Sequence, residues 1–96
     1  MTVQQEIELG RLAKVVLTNP AYEKAYSLYR DKIVEQIQAA DPLNVDLVMT
    51  LKRHLSSLSI VRKNMEILLS DGEIAKLNFE RQTLADRAKA AFRRVA

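Results

Sequence analysis

Leu51-Lys52-Arg53-His54-Leu55-Ser56-Ser57-Leu58-Ser59-Ile60-Val61-Arg62-Lys63-Asn64-Met65-Glu66-Ile67-Leu68 carries a clear helical periodicity. Within it Leu51, Leu55, Leu58, Val61, Met65 and Leu68 recur at steps of three and four, the spacing that lines one face of an α-helix. Leu47 extends the line by one turn, and Ile60, Ile67 and Leu69 widen it. Nowhere does an alternating stretch bounded by turn residues suggest a strand.

Downstream, Asp71-Gly72 offers a glycine that can take the left-handed conformation closing a helix, so the spacing predicts a break there. Beyond it Ile74, Leu77, Leu84, Ala88, Ala91 and Val95 form a second line, interrupted by Arg81, which either fixes register or partner number or, on the simpler account, packs its stem while its head reaches water. Upstream, Asn19-Pro20 and Asp41-Pro42 both read as an N-cap followed by proline at the first helical position, where its missing N–H costs nothing. Between them Tyr22, Tyr26, Tyr29, Ile33, Ile37 and Ala40 make a seam, with the tyrosines read as core. Before Asn19, the residues Ile7, Leu9, Leu12, Ala13, Val16 and Leu17 share a broad face, and Gly10 either weakens that helix or marks close approach of another.

The expectation is a single all-α domain over 1–96, with four helices at about 3–18, 20–40, 42–70 and 73–95. The last two form a long antiparallel hairpin with coiled-coil-like seams across a short Asp-Gly turn. Helices this long in so short a chain leave apolar faces uncovered, which favours self-association into a homo-oligomer.

Hydrophobic residues make up 48% of the 96-residue chain and charged residues 28%, a balance that favours folding over disorder. There is no cysteine, which excludes disulfide frameworks, thiolate nucleophiles and Cys-based zinc sites. The apolar runs are short, and Met1-Thr2-Val3-Gln4-Gln5-Glu6 has no basic start and no apolar core, so neither a membrane span nor a signal peptide is expected. A cytoplasmic protein is the corresponding expectation. The net charge of +3 is unevenly placed: residues 1–51 carry −2 and residues 52–96 carry +5. That gradient either complements helix C-termini or steers an acidic partner.

Chemistry is hard to find. His54 is the only histidine, and between Arg53 and Leu55 in a leucine-rich helical pattern it reads as an exposed or edge residue. Ser56, Ser57 and Ser59 lie within a helical pattern, where hydroxyls bond back to carbonyls. Glu6 and Glu8 point to different sides of their helix. No phosphate-cradling glycine loop or metal-ligand cluster is present, and the reading is of a protein that binds without catalysing, with no cofactor and no metal. The basic residues Lys52, Arg53, Arg62 and Lys63, and above all Arg87, Lys89, Arg93 and Arg94 near the C-terminus, are candidate phosphate contacts. A helix-turn-helix is not indicated, because the joint at Asp41-Pro42 connects long helices.

Two stretches carry a resemblance. Ile7-Glu8-Leu9-Gly10-Arg11-Leu12-Ala13-Lys14 with Leu17-Thr18-Asn19-Pro20, and Leu68-Leu69-Ser70-Asp71-Gly72-Glu73-Ile74-Ala75, resemble small helical proteins of tailed bacteriophages. Together they cover about a fifth of the chain. The resemblance implies a phage setting among virion-assembly genes, in the host cytoplasm or the virion, and no catalytic residues.

The leading expectation is therefore a helical interaction or assembly protein acting by oligomerisation or by docking on a larger protein. Its candidate interface residues are Leu51, Leu55, Leu58, Met65, Ile74, Leu77 and Leu84, with whichever of them the monomer leaves exposed forming the contact. The alternatives are a nucleic-acid-binding module similar to a phage terminase small subunit, using the C-terminal cations, and an inhibitor of a host enzyme.

Overall fold

Three caps set the helix starts in the computed structural model, which describes residues 1–95. Thr2 begins Val3–Leu17 (α1) with a reciprocal box: its hydroxyl accepts from the Gln5 N–H at 3.2 Å, and its own N–H donates to Gln5 Oε1 at 2.9 Å. Asn19 begins Pro20–Ala39 (α2), its Oδ1 accepting from the Ala21 and Tyr22 N–H groups at 2.8 and 3.3 Å with Pro20 at the first position, as the sequence predicts. The third start corrects the sequence reading. Asp41 Oδ1 accepts from the Leu43 N–H in a turn, and it is Asn44 whose Oδ1 meets the Leu47 N–H. The long helix Val45–Val95 (α3) thus begins three residues later than Asp41-Pro42 suggests. The same Asp-Pro pair serves a turn as readily as a helix start.

α3 runs unbroken for 51 residues, so the architecture has three helices and not four. Gly72 lies inside it with no positive φ, and the expected hairpin at Asp71-Gly72 does not exist. The glycine serves smallness instead of a turn. An ideal Cβ on Gly72 would stand 2.7 Å from Gly10 Cα and 2.9 Å from the Glu6 carbonyl oxygen, so α1 crosses α3 with backbones touching. Small residues continue the contact: Ala13 and Ala75 are both buried.

The hairpin that does form joins α2 to α3 through residues 40–44. Glu23 near the start of α2 meets Arg62, while Gln36, Ala39 and Ala40 at its end lie beside Leu47 and Leu51, so the two helices run antiparallel. Only Thr18 and Asn19 separate α1 from α2, and α1 crosses α3 at Gly72, beyond Arg62. α1 therefore runs in the same sense as α2, and the two together form a broken helix laid along one side of α3.

That side of α3 is a heptad seam of Val48, Leu51, Leu55, Leu58, Arg62, Met65, Leu69 and Gly72, all buried or half-buried. Its second half departs from the sequence reading by one residue, since Arg62 and Leu69 take the places expected for Val61 and Leu68, which are exposed. From α2 the seam receives Tyr22, Tyr26, Ile33 and Ile37, whereas Tyr29 is half exposed and not core. Leu12 on α1 is likewise exposed. Only Ala13, Ile33, Leu51 and Ala75 are buried apolar residues among those described. The molecule measures 79 × 25 × 16 Å, with a radius of gyration of 22.0 Å. A compact chain of this length would have about 12–13 Å.

Candidate interaction surface

The inner seam is held by one polar device. Arg62 donates two hydrogen bonds to the Glu23 carboxylate, at 2.5 and 3.3 Å, and its guanidinium carbon lies 4.6 Å from the centre of the Tyr26 ring. Tyr22 packs beside Tyr26 with ring centres 6.2 Å apart, and Glu66 approaches the same guanidinium at 3.6 Å. Hydrogen bonding to Glu23 raises the Arg62 pKa above its already high ordinary value. Arg62 is thereby committed to joining α2 to α3 and is not a free phosphate contact. The sequence groups it with the loose cations, although its seven-residue offset from Leu55 and Leu69 marks it as part of the seam.

The opposite side of α3 is also apolar. Ile60, Ile67 and Ile74 recur at seven-residue steps, followed by Leu77 and Leu84, and all five are 47–63% exposed. At 3.6 residues per turn this line lies about 150° around the helix from the inner seam. Neither α1 nor α2 reaches it. Farther on, Ala88, Ala91 and Val95 carry the line to the end of the described helix, all exposed. Beyond Lys76 the helix projects past the Gly10–Gly72 crossing for about 28 Å at 1.5 Å per residue.

The candidate interface residues therefore divide. Leu51, Leu55, Leu58 and Met65 are buried or half-buried beneath α1 and α2. Ile74, Leu77 and Leu84 stand exposed on the outer line. Charge divides along the same helix. Residues 64–80 hold four acids and one base, a net of −3, and residues 81–95 hold five bases and one acid, a net of +4. Arg87, Lys89, Arg93 and Arg94 are all exposed on this projecting segment.

The clefts are open and shallow in character. One lies at the helix crossing, bordered by Ile7, Arg11, Lys14, Glu73 and Lys76, and another beside Tyr29, His54 and Val61. Glu8 is held below the ordinary carboxylate range by its hydrogen bonds from Arg11, at 2.6 and 3.0 Å, but the pair is fully exposed at the surface. Among the described residues no group of three or more histidines or acids is placed to hold a metal ion, and no helix is long and apolar enough to cross a membrane. Against family models, curated proteins and solved structures, the chain matches none.

Proposed function

We propose that this chain is a non-enzymatic helical interaction protein whose working surface is the outer face of α3. One observation carries the reading: the long helix is apolar on two opposite sides, and the chain covers only one of them. Exposed apolar lines of this length on small proteins mark contacts with other chains. The accessible surface agrees, since the molecule exposes 7751 Å². A compact chain of its mass would expose about 5,600 Å². The resemblance of residues 7–20 and 68–75 to small proteins of tailed phages supports placing this role in virion assembly.

Ile74→Asp and Leu84→Asp test the reading. In dilute solution both variants keep the helix content and melting temperature of the parent chain, because the chain itself leaves these side chains open. Association with a further chain is lost. A variant whose dilute form melts well below the parent would show that the outer face is already covered within the chain, and the proposal would fall.

A second reading rests on the projecting cations. Arg87, Lys89, Arg93 and Arg94 form an exposed basic end that suits a phosphate backbone. It predicts nucleic-acid affinity that falls steeply with salt and disappears when these four are neutralised.

A further inference from the structure

Glu66, Glu73, Glu80, Arg87 and Arg94 stand at seven-residue steps along one flank of the outer line, and all five are exposed. Three acids are followed by two cations. The pattern is antisymmetric about residue 80, which matters for how two such helices can lie together. Flanking charges at heptad spacing set orientation in coiled coils, because they meet across the seam.

Resting on the reading of the outer face as the working surface, we infer that its occupant is a second copy of this chain, with the two α3 helices antiparallel and their two-fold axis near Phe79. In that register Ile74 faces Leu84 of the second copy, Ile67 faces Ala91, and Ser70 faces Ala88. On the flank, Glu73 meets Arg87 of the second copy, and Glu66, turned from its 3.6 Å approach to Arg62, meets Arg94, each pair occurring twice by symmetry. Near the axis Glu80 approaches its own equivalent, and Arg81 of each helix sits beside the two carboxylates. Leu77 faces the stem of that arginine, which explains why an arginine interrupts the line at this point.

The opposite orientation is disfavoured by the same charges. Parallel helices in register set the −3 stretch of residues 64–80 beside its copy, and the +4 stretch of 81–95 beside its own. The antiparallel register sets −3 against +4 at both ends. Helices α1 and α2 occupy the other side of α3, so a second copy reaches the outer line without displacing them. The elongated chain exposes about 2,200 Å² more than a compact chain of its mass, and stable interfaces bury about 1,200–2,000 Å² counted over both partners.

The test uses the full chain, which has no cysteine of its own. Glu73→Arg alone and Arg87→Glu alone each place like charges at two sites and raise the dimer dissociation constant roughly tenfold. The double variant Glu73→Arg/Arg87→Glu restores it to within about threefold of the parent. These residues are fourteen apart on one helix, so the restoration reports contact between copies. Under mild oxidation Ser70→Cys mixed with Ala88→Cys forms a cross-linked pair, and neither variant does so alone. Self-cross-linking of Ser70→Cys, or no rescue by the double variant, overturns the antiparallel register. If Ile74→Asp still abolishes the oligomer in that case, the outer face remains the working surface. A parent chain that is monomeric overturns the second copy as occupant, and an oligomer indifferent to Ile74→Asp overturns both the inference and the reading beneath it.

Discussion

Gly10 and Gly72 touch through their backbones. An ideal Cβ on Gly10 would stand 2.8 Å from Gly72 Cα, closer than real Cβ atoms approach, and 3.0 Å from the Leu68 carbonyl oxygen, a tight contact. Backbone atoms cannot swing aside as side chains can, so this crossing sets how close α1 comes to α3.

Gly72→Ala therefore sets two effects against each other. Alanine favours an uninterrupted helix over glycine by about 1 kcal/mol, whereas overpacking costs about 1–3 kcal/mol. Contact with fixed backbone selects the upper part of that range. The expected result is a net loss of about 1–2 kcal/mol in urea unfolding, with faster proteolysis within residues 3–17. An alanine variant more stable than the parent would show that the helices are not held at this distance.

Arg62→Ala removes the double hydrogen bond to Glu23 and the stack on Tyr26. Arg62 is about a quarter exposed and Glu23 more so, which screens the pair, so a loss of about 1–2 kcal/mol is expected. Arg62→Lys recovers little of it, because an ammonium offers no planar fork. Full recovery by lysine in thermal unfolding would reduce the device to a simple charge pair.

Ile33 and Ile74 separate the two faces of α3. Ile33, 3% exposed, packs against the inner seam, and Ile33→Ala is expected to cost about 2–4 kcal/mol. Ile74 is 54% exposed, and Ile74→Ala leaves the dilute chain within about 0.5 kcal/mol of the parent. Equal losses in denaturant titrations would contradict the division.

Much of this arrangement is legible from local signals, and the failures share one cause. Asn19-Pro20 opens α2 as expected because a cap acts on its own next residues. Gly72 misleads because the reason for it lies sixty-two positions away, at Gly10, where the sequence offered close approach as one of two explanations. Arg62 and Gly72 hide the inner seam for a related reason: neither is apolar, so the apolar period passes to Val61 and Leu68 instead. The outer residues Ile74, Leu77 and Leu84 are readable as a line from spacing alone. Their exposure is not, since it follows from α1 and α2 both lying on the opposite side.

Selective neutralisation separates the two readings of the basic end. In the antiparallel pair Arg87 and Arg94 are engaged by acids, while Lys89 and Arg93 are not. Neutralising Lys89 and Arg93 should leave the dimer unchanged, whereas neutralising Arg87 and Arg94 weakens it. Sedimentation of both double variants checks this. Equal weakening by the two would point to general charge in place of paired contacts.

The mass of the chain in solution, by light scattering on a size-exclusion column at low and high salt, shows whether the outer face of α3 joins two copies. Two copies of the 10.9 kDa chain, held by the apolar line, are expected at both salts, and a single copy for Ile74→Asp. A parent chain and an Ile74→Asp chain of the same oligomeric mass would contradict it.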